Sequence, residues 1–325
     1  MTTVAENKSG LAILFILFGV LAISVNDMLI KQLSGQYPLH ELVFLRSVLG
    51  LAFSVFLVQM EGGWRILKTR QPVLHAIRGL LIVAANMSYF AALAALPLAD
   101  ATALFFAAPL LITLLSIPIL GEKVGILRMT AVLVGFCGVI LMQRPWAGAD
   151  TLEASRLVLL LPVFAALMYA LNQLMTRKLG VSSKASALSV YIHMSFIVVS
   201  LGFYLVAGDG RFAAGTENAS VEFLLRAWIW PVGIDWWFIL GMGANAAIIG
   251  YCLSQAYRIA DAATVAPFEY VGLPLAVFWG WLIFAQLPVW EVWAGIALIL
   301  GSGLFVFLRE QQKARVVARG PIKRQ

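Results

Sequence analysis

"LPLADATALFF", residues 96–106, opens a long apolar run with a single carboxylate, and a variant of it, "YRIADAATVAPF", recurs at residues 257–268. In both, Ala-Asp-Ala and then a threonine stand at the start of a lipid-soluble stretch. The first turn of a helix leaves backbone N–H groups unpaired, so Asp100 and Asp261 are expected to N-cap two corresponding helices. Further along, "GFCGVILMQR" (residues 135–144) and "LGSGLFVFLR" (residues 300–309) place Gly138 and Arg144 against Gly303 and Arg309 at one common spacing. Short apolar matches arise easily by chance, but features repeated in the same order argue for a duplicated unit.

The rest of the chain has the composition of those stretches. Hydrophobic residues make up 62%, charged residues 12%, and mean hydropathy is +0.91, far from a soluble domain. Crossing the hydrocarbon core takes about 20 apolar residues per helix. Ten runs meet that length, at 11–30, 39–60, 73–95, 99–119, 124–143, 156–176, 185–207, 233–257, 263–285 and 290–308. The chain is therefore expected to be an all-α membrane protein, with one sizeable loop around "AGDGRFAAGTENASVEF". The duplication divides it into 11–145, 156–308 and a basic tail at 309–325. Five spans per unit is odd, so the second unit enters the membrane from the opposite side. Ten transmembrane helices as two inverted five-helix repeats are the architecture of alternating-access carriers.

Basic residues orient the bundle. With both termini cytoplasmic, sixteen Lys and Arg fall on inside segments and five on outside ones, with Arg46 and Arg78 left inside spans. That excess inside predicts a multi-pass protein of the cell inner membrane. It also explains the net charge of +7 as a topology anchor on anionic lipid, with no nucleic-acid partner. The run at 11–30 has span length and no small-x-small cleavage site, so it is expected to stay in place. Cys137 and Cys252 read as packing residues, and no cofactor or metal is expected.

Known catalytic signatures are missing. There is no phosphate-binding G-x-x-x-x-G-K-[ST], no zinc-binding H-E-x-x-H and no nucleophile elbow G-x-S-x-G, so the chain is not expected to be an enzyme. A channel or a membrane-embedded enzyme stays as a remote alternative. A monomer or weak homodimer is expected.

Charges and amides inside the membrane mark the candidate site, because each needs a partner or a water-filled space. Glu269 lies between Pro267 and Pro274 in "VAPFEYVGLP", where missing N–H groups free carbonyls. It has no counterpart carboxylate at Pro109 or Leu110. It is the first candidate for substrate or proton contact. Tyr270, Tyr89, Phe90, Phe105, Phe106 and Tyr251 are either its walls or plain helix packing. Asn86, Asn172, Gln173, Asn245 and Gln255 are expected to face inward. Asp27 reads as a pair with Lys31 one turn on, or as the partner of Arg46 ahead of Glu41; Arg46 could also receive substrate. His193 is a neutral core histidine or a proton-coupling site. Arg78 either snorkels to the cytoplasmic headgroups or belongs to a structural pair.

The runs "ALPLADATALFFAAPLLITLLSIPILGEK" and "DAATVAPFEYVGLP" resemble the drug/metabolite transporter superfamily, EamA type, over nearly the whole chain. Gly121-Glu122 matches the family's Gly-Glu, while the second half has Gln286 in "FAQLP" at the equivalent place. "SVNDMLIK", "ELVFLR" and "HAIRGL" are most similar to a bacterial branch of riboflavin and S-adenosylmethionine uptake carriers. The resemblance implies transport of a small organic molecule. Aromatic walls with few fixed charges favour riboflavin; S-adenosylmethionine uptake and amino-acid or drug efflux are the alternatives.

Overall fold

The computed structural model describes residues 2–69, 71–121, 124–144, 146, 156–179, 185–259 and 268–318. No strand occurs among them. In chain order the helices are α1 (Thr2–Leu33), α2 (Leu39–Glu61), α3 (Pro72–Leu93), α4 (Leu98–Phe105), α5 (Ala108–Leu120), α6 (Ile126–Gln143), α7 (Arg156–Leu179), α8 (Ala185–Ala207), α9 (Ala219–Leu225), α10 (Asp235–Ile259), α11 (Gly272–Phe284) and α12 (Trp290–Ala318). A 3-10 turn, Gly63–Leu67, joins α2 to α3.

Among the described residues, seven segments are long and apolar enough to cross a membrane: Gly10–Leu33, Leu39–Glu61, Pro72–Leu93, Leu98–Leu120, Arg156–Met175, Ser186–Ala207 and Asp235–Leu253. Three apolar stretches are shorter: Met129–Gln143, Gly272–Phe284 and Trp290–Phe305. Two expected spans are not single helices. The run 99–119 is broken between α4 and α5, and in 263–285 the long helix starts only at Gly272. The expected basic tail continues α12 as helix as far as Ala318.

In α1, Leu11, Leu14, Phe18 and Leu21 are exposed, whereas Ala12, Ile16 and Val20 are buried. Both stripes recur at helical spacing and both are apolar. A lipid solvent asks for this, because polar groups then turn inward where they find partners.

The principal helix contacts are α1 with α10, α2 with α8, α3 with α7 and α6 with α12; α4 packs on α11 and α5 on α7. At the α6–α12 crossing, a Cβ on Gly138 would stand 2.9 Å from the Gly295 carbonyl. Only glycine permits that approach.

The long loop folds back on the bundle. Asn218 caps α9 by accepting from Ser220 N–H and Val221 N–H at 3.0 and 3.2 Å. Trp228 packs on Tyr204 and Phe44 at centroid distances of 4.5 and 5.4 Å. Tyr37 donates to Asp235 at 2.7 Å.

Candidate functional site

Proline places the two helix interruptions. A proline inside a helix lacks the N–H donor, and its ring strikes the carbonyl four residues back. For Pro109 that carbonyl belongs to Phe105, where α4 ends; for Pro274 it belongs to Tyr270, where the chain turns before α11. Both prolines fall in the first turn of the helix that follows, a position that tolerates them. The two breaks meet: the rings of Phe106 and Tyr270 lie 5.3 Å apart at 31°. Gly303 on α12 leaves the room that the Tyr270 hydroxyl occupies.

Aromatic contacts run inward from this pair. Phe105 packs on Tyr169 of α7 at 5.6 Å and on Tyr89 of α3 at 5.2 Å, and Tyr89 on Phe90 at 5.6 Å. Gln173 donates to the Tyr169 hydroxyl at 2.8 Å. The Glu269 carboxyl lies within electrostatic range of both Tyr169 and Tyr270. Phe105, Phe106, Tyr169, Glu269 and Tyr270 are half-buried. A carboxyl framed by phenol rings, with surface still accessible, can receive a flat molecule by stacking and by hydrogen bonding.

A second polar cluster lies on the far side of Tyr89. Tyr89 Oη stands 3.0 Å from Asp27 Oδ2 and 2.9 Å from Thr102 Oγ1. Asn26 bridges weakly between Asp27 and Arg46, with both contacts at 3.4 Å. The Arg46 guanidinium lies over the rings of Phe90 and Phe196, 5.3 and 5.4 Å from their centroids, an arrangement that retains attraction for a desolvated cation.

Several expected pairings do not form. Lys31 does not hold Asp27; it donates to the carbonyls of Leu93 and Leu96 at 2.8 and 2.6 Å, because the C-terminal end of α3 leaves carbonyls unpaired and attracts a cation. Glu41 does not reach Arg46; it accepts from Ile229 N–H at 3.1 Å and ties the outer loop to α2. Asp100 is not an N-cap: Pro97 occupies that position, and Asp100 sits in the first turn of α4, within electrostatic range of Lys31. Cys137 is exposed, so it is not a core packing residue, whereas Cys252 is buried.

The other candidates are spread through the bundle. Asn245 donates to the Ala22 carbonyl at 3.1 Å and so pins α10 to α1. His193 lies on α8 against Gly50, is 8% exposed, and its Nδ1 has no hydrogen-bond partner. Arg78 is half-buried in α3, with its Nε unpartnered. Glu122, Asp261 and Pro267 lie outside the described residues. Sequence reasoning missed Tyr169 and Thr102. Tyr169 stands one helical turn before Gln173 and therefore on the same face, and Thr102 is the conspicuous threonine of the repeated motif.

Helices of this length and apolarity, meeting around paired breaks that carry polar groups, define a multi-pass membrane protein. Residues 10–144 match the EamA-like transporter family. A protein named riboflavin transporter, from Rhizobium johnstonii, is 30% identical over 96% of both chains. One named S-adenosylmethionine uptake transporter, from Rickettsia prowazekii, is 26% identical over 92% of this chain and 93% of its own. A solved crystal structure shares the fold with a TM-score of 0.60 at 20% identity, covering 95% of this chain and 98% of its own. The chain belongs to the EamA-like transporter family. It is a transporter of a small metabolite rather than an enzyme.

Proposed function

We propose that the protein moves its substrate by alternating access between two inverted five-helix repeats, and that the substrate is riboflavin taken up across the cell inner membrane, with both chain termini cytoplasmic. The Phe106–Tyr270 contact at 5.3 Å carries this reading, because it brings a helix break from each half to one place. Interrupted helices at a repeat interface form substrate sites in carriers of this architecture. The helix pairing also supports the repeat. If α1, α2, α3, α4–α5 and α6 correspond in turn to α7, α8, α10, the segment ending in α11, and α12, then α1 against α10 answers α3 against α7. The pairs α2 with α8 and α6 with α12 then lie on the pseudo-twofold axis.

In this reading Phe106, Tyr270, Phe105 and Tyr169 stack on the flat ring system, and Glu269 accepts one of its N–H groups or hydroxyls. Asp27, Tyr89 and Arg46 form the neighbouring polar cluster, while Asn245 and His193 hold helices together. Relatives named riboflavin transporter support this substrate. A carboxylate between phenol rings also suits the sulfonium of S-adenosylmethionine, the second reading.

The test is growth of a riboflavin auxotroph that expresses the chain, paired with uptake of radiolabelled S-adenosylmethionine. Rescue at low riboflavin is expected. No rescue together with saturable S-adenosylmethionine uptake would replace riboflavin with the second substrate. Saturation and counterflow are expected of a carrier, and conduction without exchange would indicate a pore.

A further inference from the structure

The buried side chains of the described residues fall into two separate cores. Ile30 and Leu33, at the end of α1, belong to the main core together with Leu93, Leu96 and, from α7, Ala165. Further back along the same helix, Ala12, Ile16 and Val20 form a small core with Ala256 of α10. The half-buried residues around that small core are Phe15, Leu253, Phe268 and Leu275, all from α1, α10, α11 or the turn that leads into α11. Helix packing follows the same division. α1 packs on α10 and α11, whereas α3, α4 and α5 pack on α7. The two groups of helices share a core at the end of the bundle that carries the long loop. At the other end, where α1 begins, the α1 group has a core of its own.

Lys31 ties the two groups together at the loop end. Its Nζ donates to the carbonyls of Leu93 and Leu96 at 2.8 and 2.6 Å. An ammonium only donates and a carbonyl only accepts, so the direction of both bonds is fixed. Leu93 is open to the lysine for a covalent reason. In a continuing helix its carbonyl would take the N–H four residues on, and that residue is Pro97, which has none. The ammonium also lies 5.2 Å from the ring centroid of Phe284, the last residue of α11, and faces Asp100 of α4. Deeper in the bundle, Gly272 brings α11 against both Val20 and Phe106. From Val20 to Lys31 is about 16 Å at the helical rise, so the lysine stands well to the loop side of the aromatic pair.

We propose that Lys31 is the latch of the gate at the loop end: this conformation is closed there and parted at the opposite end, and Lys31 leaves the Leu93 and Leu96 carbonyls when the carrier opens toward the loop. The inference rests on the alternating-access reading and adds which end is closed and the residue that holds it. The contact suits a latch. A charged donor on two helix-end carbonyls is strong while the end is packed, and both partners exchange it for water as the end opens, so it holds without locking.

Distances between spin labels, measured by double electron–electron resonance on the full chain in lipid vesicles without substrate, test this. In a Cys137→Ala, Cys252→Ala background, one label pair at Gln36→Cys and Leu157→Cys spans the loop end, and another at Leu11→Cys and Val73→Cys spans the opposite end. All four positions are exposed. Lys31→Met keeps the apolar stem and removes the donors. At the loop end the ratio of long to short distances is expected to rise about tenfold, while the opposite pair shortens. Lys31→Arg, which restores the charge and the donors, is expected to return both pairs to the parent distances. Unchanged distances in Lys31→Met overturn the inference. Lengthening at the loop end without shortening at the other also overturns it, because a merely structural tie gives that result. Should Lys31→Met fail to fold, Lys31→Gln, which keeps one amide donor for the two carbonyls, is read by the same criteria. No substrate is present, so an error in the riboflavin reading leaves the result untouched. Saturable counterflow together with unchanged distances removes the latch and keeps the carrier.

Discussion

The two helix interruptions are made by the same device and carry different chemistry. Pro109 and Pro274 stand at the spacing that separates Gly138 from Gly303, and each stops a helix at the carbonyl four residues before it. Aligned on the prolines, Leu104 answers Glu269 and Phe105 answers Tyr270. Leu104 is 1% exposed, inside the main core, while Glu269 is half-buried beside two phenols. A broken backbone needs only a proline, and each break has one. A charge must find partners, and only the break before Pro274 carries one at this position.

The largest effect should come from exchanging the two chemistries. Leu104→Glu places a carboxyl in a sealed core, at a cost of about 2.5–3.5 kcal/mol or more, and is expected to remove folded protein as judged by size-exclusion chromatography. Glu269→Leu should fold and bring uptake to background, while Glu269→Gln should keep binding and change the pH dependence of uptake. Next come the prolines. Pro109→Ala or Pro274→Ala restores a backbone donor and favours a continuous helix by up to ~3 kcal/mol, so turnover should fall further than affinity in a single-turnover uptake assay. If either variant transports normally, the breaks are not mechanical.

Smaller changes probe the contacts around the breaks. Phe106→Ala removes a ring worth about 0.5–1.5 kcal/mol, and roughly tenfold weaker substrate binding is expected by isothermal titration. Asn245→Ala loses the donor to Ala22 and should lower thermal stability in detergent by about 0.6–2 kcal/mol, without a specific effect on substrate affinity. The smallest effect belongs to the outer end. Burial, followed by the hydrogen bond to Asp235, raises the Tyr37 hydroxyl above its ordinary 10.0. The folded chain then keeps this proton where the unfolded chain has released it. The contribution is full below about pH 10 and disappears as pH rises through the folded value. Tyr37→Phe should flatten that alkaline loss in a thermal melt, for a cost of about 1 kcal/mol.

Much of this was legible in the chain. Lipid-soluble runs of known length mark the spans, but the breaks at Pro109 and Pro274 did not show, because Pro118 and Pro162 stand in similar runs without ending a helix. Glu269 and Tyr270 stood out because a carboxylate within such a run has to be accounted for. Tyr169 did not, since one aromatic among many in an apolar helix has no local signature and gains meaning only from Phe105 and Glu269 across a helix boundary. Asp27 was noticed with two candidate partners: Lys31, its neighbour at helical spacing, went to the free carbonyls at the end of α3, whereas Arg46 lies within electrostatic range of Asp27 with Asn26 between them.

The sequence by itself determined that this is a many-pass helical membrane protein, because transfer into lipid acts on each segment through its own residues; which prolines interrupt a helix it did not, since Pro118 and Pro162 lie inside continuous helices. Only the tertiary structure decided that Phe106 meets Tyr270, that Tyr89 lies between Asp27 and Thr102, and that Arg46 rests between two rings. Those contacts depend on how far each helix is rotated and tilted against its neighbours. That is settled by packing across the bundle, not by any stretch of chain on its own.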